Sequence, residues 1–307
     1  MSPSLSFIVV AYNMERELPR TLFSLSRDYQ QGVEEIEYEV IVIDNGSSPP
    51  FGNRKVEQFG SIFRYYYLKD PPPSPAFALN YGVKKSKGEV VCLMIDGARI
   101  VTPGVVKWAL TAFNAFKDPT VAVLGWHIGP QIQNLSILSG YNPQKEDLLL
   151  QKINFPKDGY RLFEISTLTP SCPFGWFPPF SESNAIFIKK DSYWRIGGYD
   201  ERFDFPGGGL TNLDFFRRAV MREGSDLIVL LGEGTFHQIH GGVATNVPPD
   251  EQRRRFALWA EQYRRLHGED YRPPEKAPVY LGQIPQSALP FVRDSAERLL
   301  ALSRTSR

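Results

Sequence analysis

The chain has 307 residues, enough for one large α/β domain or two small ones. Hydrophobic residues make up 42% and charged residues 22%, and the formal net charge is +1, which argues against a disordered chain and gives no electrostatic footprint for nucleic acid. Two cysteines without metal-type spacing argue against a disulfide framework, and no run approaches the roughly 18 apolar residues of a membrane span.

Three apolar runs organise the first hundred residues. They are Ser6–Asn13, Glu39–Ser47 and Glu89–Ala98, each β-branched and each ending in polar groups: Asn13, Asp44 and Asp96. Such runs read as strands buried on both faces of a parallel sheet, whose carboxyl ends bind ligands. A strand begins within the first residues, which leaves no room for a signal peptide. A cytoplasmic protein is expected, with a peripheral membrane contact left open. Between the first two strands, Leu18, Leu22 and Leu25 mark one face of a helix, with Pro19 near its start. Asn45–Pro50 is a turn-rich loop. Phe63–Leu68 is a third strand, Pro71–Pro75 a stiff connector, and 76–86 a short helix.

Thr102 is the expected N-cap of a helix running to about Phe116. Val121–Trp126 reads as one strand. The stretch 128–182 has weak periodicity and reads as a long, loop-rich insertion. Its Trp176, Phe177 and Phe180 would form an aromatic acceptor platform or pack the insertion onto the sheet. Ala185–Ile188 and Leu227–Leu231 are strands. Asp191–Ile196, Phe215–Glu223 and Asp250–His267 are helices, the last amphipathic and basic. Its Arg253–Arg255 and Arg264–Arg265 form a solvated face or a contact for anionic lipid.

The order and spacing of these pieces resemble the family 2 glycosyltransferases over about residues 5–242. The resemblance rests on Val9–Asn13 with its leucine-rich helix, Tyr38–Ser48, Ala78–Gly82 followed by Lys87-Gly88-Glu89, and Arg195–Asp200. It implies an α/β chain with the GT-A fold: a Rossmann-like, mostly parallel sheet flanked by helices, with a loop-rich acceptor-side insertion. The expected division is a domain over 1–245, split into a nucleotide half (1–104) and an acceptor half (105–245). A C-terminal helical extension over 246–307 follows.

Asp44, at a strand end, can accept hydrogen bonds from a uracil-type N–H or a ribose hydroxyl, or cap the Asn45–Ser48 turn. The resemblance places it at the base-reading position. Ala11, Tyr12 and Asn13 would line the same cleft, with plain packing the other reading of Tyr12, and Asn80 joins the nucleotide-binding set. The family's Asp-x-Asp motif is incomplete: the chain reads Asp96-Gly97-Ala98-Arg99. One carboxylate can still help hold Mg²⁺ or Mn²⁺ with the diphosphate and waters. Arg99 would neutralise phosphate or face solvent.

The resemblance also implies a late histidine ligand, which would be His240 or His237. The two share a face if their segment is helical and oppose each other if it is extended. For the catalytic base, the family's Glu-Asp pair is replaced by Thr211 and Asn212. Asp214 would be the base or a helix N-terminal residue. Glu182 is a second candidate and Asp204 a third.

The expected activity is transfer of a sugar from a nucleotide diphosphate sugar, UDP-linked in preference, to a hydroxyl of a glycan, lipid-linked or small-molecule acceptor, with inversion. The alternative is a catalytically impaired domain that binds nucleotide sugar or glycan. A nucleotidyltransferase would need a Gly-rich loop after the first strand, and a Rossmann dehydrogenase would need G-x-G-x-x-G. The chain has neither.

Overall fold

The computed structural model describes residues 4–305. In chain order the elements are β1 (Leu5–Ala11), α1 (Leu18–Ser24), β2 (Tyr38–Asp44), α2 (Asn53–Glu57), β3 (Phe63–Tyr67), α3 (Ala76–Lys85), β4 (Val90–Met94), β5 (Arg99–Val101), α4 (Val105–Ala115), β6 (Thr120–Val123), β7 (Gly125–Ile128), α5 (Gln133–Ser136) and α6 (Pro143–Lys152). They continue with β8 (Ser166–Leu168), β9 (Ala185–Lys189), α7 (Lys190–Arg195), α8 (Thr211–Met221), β10 (Leu227–Leu231), β11 (Thr235–His237), α9 (Pro249–His267), β12 (Val279–Gly282) and α10 (Leu289–Thr305).

An eight-stranded sheet has the order β12-β10-β6-β9-β4-β1-β2-β3. β9 runs antiparallel to β4 and β6, and the other pairings are parallel. A four-stranded sheet, β5-β11-β7-β8, stands beside it. β1 and β2 are buried along their whole length because helices cover both faces, which is why they read as unbroken apolar runs. Along β1, Phe7 and Val9 enter a core with Leu18 and Leu22 of α1 and Val105 and Val106 of α4. Ile8 and Val10 enter the opposite core, with Leu79 and Val83 of α3 and Phe215 and Phe216 of α8. Each such side chain contributes roughly 1.5–3 kcal/mol by burial. Register places Ala11 beside Asp44 and Val9 beside Met94, so the carboxyl ends of β1, β2 and β4 form one edge.

The structure bears on four of these readings. Val121–Trp126 is not one strand: the chain leaves the main sheet at Leu124, and β7 joins the second sheet. Apolar continuity carries no signal for a change of sheet. Thr102 does not cap α4 with its side chain. Its hydroxyl donates to Glu233, whose carboxylate also accepts the Gly104 N–H, so the helix is capped from the β10–β11 turn. In the insertion, Trp176 and Phe180 are buried. Trp176 packs on Trp126 and Phe163 and donates to the Glu233 carbonyl, so these two rings are core and not a platform. Residues 246–307 contribute a strand as well as helices. β12 pairs with β10, and Trp259 and Tyr263 of α9 pack on Phe203 and Leu210.

Candidate functional site

A cleft of about 660 Å³ opens along the strand-end edge. Its walls are Tyr12 and Asn13 after β1, Asn45 and Gly46 after β2, the Pro71–Pro73 connector, and Asp96 after β4. His240, Gly241, Val243 and Gly207 close the far side. Tyr12 is 57% exposed, so packing does not hold its ring. Asn13 turns the chain at φ +52° and ties the β1 and β2 loops together: its N–H donates to Ser47 Oγ (2.8 Å) and its Oδ1 accepts from the Ser48 N–H (3.0 Å). The side chain of Ala11 is buried behind this wall.

Asp96 is the centre of the site. Its Oδ1 accepts from the Ala98 N–H (2.9 Å). Its Oδ2 lies 2.8 Å from His237 Nε2 and 3.5 Å from His240 Nε2. Gly97 is required here, because a Cβ would stand 2.8 Å from the Val10 carbonyl oxygen. The two histidines are brought together by neither a helix nor an extended strand. His237 ends β11, the chain turns, and the imidazole nitrogens come within 3.1 Å. That turn is clamped from both sides: Ile239 N–H donates to Glu146 (2.8 Å), and Arg16 donates to the Ile239 carbonyl (2.7 Å). Burial pushes the Asp96 carboxyl up, but His240 and His237 outweigh it and hold the carboxyl well below its usual range. Burial lowers His237, reinforced by Arg99 and opposed by Asp96. Burial also lowers His240, yet Asp96 more than offsets it and the net effect is upward.

Asp96, His237 and His240 thus present one oxygen and two nitrogens within 4.8 Å of one another. The two imidazoles suit borderline ions such as Zn²⁺ and Fe²⁺ and the carboxylate suits Mn²⁺ and Mg²⁺, so the set takes a divalent cation without fixing which one. Three protein ligands leave the remaining shell to substrate oxygens and water. The donor set fits such an ion, and Asp96 would hold it without the second carboxylate that Ala98 replaces.

Other expected residues lie elsewhere. Asp44 is fully buried. Its carboxylate accepts from the Ser47 N–H (2.8 Å), the Phe51 N–H (3.0 Å) and the Tyr65 hydroxyl (2.7 Å). It therefore builds the loop that carries Asn45 and Gly46 and does not face the cleft. Asn80 is also committed: it accepts from the Tyr199 N–H (3.0 Å) and the Tyr193 hydroxyl, and donates to the Tyr199 carbonyl (2.9 Å) and Glu201 (2.7 Å). It is a brace between α3 and the glycine turn after α7. Arg99 neither faces solvent nor lines the cleft. It is buried behind Asp96, with Nε 3.8 Å from Oδ2, and Nε and Nη1 lack hydrogen-bond partners. Burial lowers its pKa, against Asp96 and Glu182.

On the acceptor side, Asp214 is buried in the first turn of α8 and paired with Arg218 (2.7 Å), with His267 at 3.4 Å. This is the helix-terminal reading, and it leaves Asp214 no free face for a base. Glu182 is half-buried, and its Oε2 accepts from Asn212 Nδ2 (2.7 Å), while Asn212 Oδ1 accepts from the Tyr199 hydroxyl (2.8 Å). Asp204 is exposed and takes the Gln262 amide of α9 (2.5 Å).

Residues 6–180 match the model of the glycosyl transferase family 2. The chain belongs to this family. It is 27% identical over 225 residues to validoxylamine A glucosyltransferase of Streptomyces hygroscopicus subsp. limoneus, an alignment covering 69% of this chain and 47% of that protein. The counterpart from subsp. jinggangensis (strain 5008) is also 27% identical over 225 residues, covering 69% and 50%. The chain thus spans about half the length of these relatives. Among solved structures, S. aureus TarS 1-349 in complex with UDP superimposes with a TM-score of 0.53 at 13% identity, over 88% of this chain and 72% of that one. Mannosyltransferase PcManGT from Pyrobaculum calidifontis, in complex with GDP-Man and Mn²⁺, gives a TM-score of 0.50 at 15% identity, over 100% and 76%. These likenesses establish the GT-A fold.

The family 2 match includes Asp96 but ends before Glu182, His237 and His240. Three residues that sequence reading missed complete the histidine surroundings. Gln133 Oε1 lies 2.8 Å from His237 Nδ1, Asn246 holds the 240–242 turn, and His127 packs on His237 at 5.4 Å between ring centroids. Gln133 and His127 lie in the weakly periodic region or at its edge, where no motif marked them. Among the described residues, no helix is long and apolar enough to cross a membrane.

Proposed function

We propose that this chain transfers a sugar from a nucleoside diphosphate sugar to a hydroxyl acceptor in a single inverting displacement. The observation that carries the reading is the Asp96–His237–His240 cluster, whose Asp96 and His240 line the strand-end cleft while His237 is buried behind them. The complexes of TarS with UDP and with UDP-GlcNAc favour a UDP-linked donor, and that of PcManGT with GDP-Man and Mn²⁺ supports a cation. Tyr12, Asn13, Asn45 and Gly46 would seat the nucleoside, in the loop that Asp44 builds. Asp96, His237 and His240 would hold Mn²⁺ or Mg²⁺. A bound cation supplies positive charge that stabilises the departing diphosphate. Arg99 adds positive charge from behind Asp96, where burial strengthens its field.

Glu182 takes the acceptor proton in this reading. It is the acceptor-side carboxylate with partial exposure and a neutral hydrogen-bond partner, whereas Asp214 is locked to Arg218. Asn212 cannot act as a base, but it orients Glu182 from the position where the family pattern has its acidic pair. The acceptor is a glycan, a lipid-linked sugar or a small hydroxylated molecule.

The test is titration calorimetry of the intact chain with UDP, UDP-glucose, UDP-GlcNAc and GDP-mannose, with and without Mn²⁺, followed by an acceptor screen. Cation-dependent binding of a nucleotide sugar is expected. No binding of any would refute the donor assignment. Binding without hydrolysis or transfer across the screen would turn the reading to a nucleotide-sugar binding domain.

A further inference from the structure

We propose that Gln133 and Asn246 are positioning residues that lock the two histidines in a cation-accepting state. The inference rests on reading Asp96, His237 and His240 as cation ligands, and concerns how this chain prepares them.

The argument starts from one buried amide. Gln133 is fully buried at the start of α5. Its Nε2 donates to the His237 carbonyl (2.9 Å), so its Oε1 must be the acceptor facing His237 Nδ1 at 2.8 Å. His237 Nδ1 therefore carries a hydrogen, and the neutral ring presents a bare lone pair at Nε2. That lone pair lies 2.8 Å from Asp96 Oδ2. Neither Asp96 Oδ2 nor His237 Nε2 then brings a hydrogen to this contact; the imidazole that can is His240, whose Nε2 lies 3.1 Å from His237 Nε2 and 3.5 Å from Asp96 Oδ2. The arrangement calls for a positive charge in the gap. The other tautomer, with Nε2–H, would donate straight to Asp96 and fill the gap without an ion. Gln133 selects against that tautomer.

The amide is itself held rigidly. Gln133 N–H donates to His127 Nδ1 (3.0 Å), which ties the start of α5 to β7, the strand paired with β11. Asn246 Nδ2 donates to Gln133 Oε1 (3.1 Å). On its other side, Asn246 Oδ1 accepts from the backbone N–H groups of His240 (3.2 Å), Gly241 (2.7 Å) and Gly242 (2.9 Å). One side chain thus fixes the turn that swings His240 back toward His237 and joins it to the amide that orients His237. Outer partners of this kind set ring orientation and ligand basicity at metal sites.

The experiment uses the full chain as wild type, D96N, Q133L, Q133E and N246A. Mn²⁺ alone is titrated by electron paramagnetic resonance, and the His237 tautomer is read by imidazole nitrogen NMR on the metal-free protein. Thermal melting reports folding. Wild type should bind Mn²⁺ and D96N should not. Q133L and N246A should weaken Mn²⁺ by about 10–100-fold, and Q133L should shift His237 toward Nε2–H. Q133E keeps an acceptor oxygen for Nδ1–H but loses the donor to the His237 carbonyl, so it should retain the Nδ1–H tautomer and weaken Mn²⁺ less than Q133L does.

If Q133L does not fold, Q133E and N246A still decide: weakened Mn²⁺ binding in N246A with Nδ1–H retained in Q133E supports the proposal, and wild-type affinity in N246A or an Nε2–H tautomer in Q133E overturns it. Wild-type Mn²⁺ binding that D96N abolishes and Q133L leaves intact, with Nδ1–H unchanged, overturns the proposal and spares the cation site. A wild-type chain that binds no Mn²⁺, alone or with UDP, overturns both.

Discussion

Asp44 and Asp96 are the same feature in sequence: a carboxylate at the end of an apolar strand, followed within two residues by glycine. In the structure they have opposite fates. Asp44 is buried and satisfied by three donors, two from its own loop and one from Tyr65 of β3. Asp96 receives one N–H from its short loop, and its other oxygen is left to two imidazoles. Topology makes the difference. β2 has β3 as a parallel neighbour, and a long loop that folds back. After β4 the chain passes at once into β5, whose antiparallel register sets Arg99 opposite His237 and so delivers the histidine to Asp96. A strand-end carboxylate is available for chemistry when its own loop is too short to use it.

The sharpest way to break this contrast is at Asp96. D96A should abolish Mn²⁺ binding and lower turnover by on the order of 10³-fold, with little change in melting temperature. A variant that still turns over at the wild-type rate would remove Asp96 from the site. The acceptor side gives the next largest effect. E182Q should lower turnover by about 10²-fold or more while leaving UDP and Mn²⁺ affinity unchanged. D214N, by contrast, should act mainly on stability, through the lost pairing with Arg218. Reversal of these two outcomes, read as kcat against melting temperature, would return the base to Asp214.

The contrast also explains what is legible in the sequence. The family, the parallel strands, α3, α7 and α9 follow from local pattern: unbroken β-branched runs and helical apolar spacing. Asp96 and the histidine pair follow from position in that pattern. What escapes it depends on contacts between distant segments. Glu233 capping α4, Gln133 facing His237 and Tyr65 filling Asp44 are pairings separated by 21 to 131 residues, and no local periodicity encodes them. The aromatic residues Trp176 and Phe180 are ambiguous in sequence for the same reason, since surface and core rings look alike until the second sheet is placed.

At Asp44 the expected effect is on the fold. D44A strands two buried N–H groups and the Tyr65 hydroxyl, and should cost about 3–4 kcal/mol in chemical denaturation while Mn²⁺ affinity stays at the wild-type value. Loss of UDP affinity with stability intact would instead mean that the carboxylate reads the nucleotide, and the contrast between the two strand ends would collapse.

Glu146 tests a subtler version of the same idea, because it too is a buried carboxylate held by donors from distant segments. Burial pushes its carboxyl up to about 7, against the Ile239 N–H and Arg16, which lower it. The folded-state pKa therefore lies above the unfolded value, and the folded chain binds the extra proton. Its contribution to stability is fully present below the unfolded pKa and is lost as pH rises through the folded one. Stability should fall by about 2–3 kcal/mol between about pH 5 and about pH 7, because each pH unit between the two pKa values removes roughly 1.4 kcal/mol. E146Q, which cannot ionise, should remove that slope in denaturation curves taken across the range. An unchanged slope in E146Q would assign it to another group. The effect reaches the site, because Glu146 and Arg16 grip Ile239 from both sides and so hold the turn between the two histidines. A loosened grip should weaken Mn²⁺ binding only modestly, since Asn246 holds the far side of the same turn.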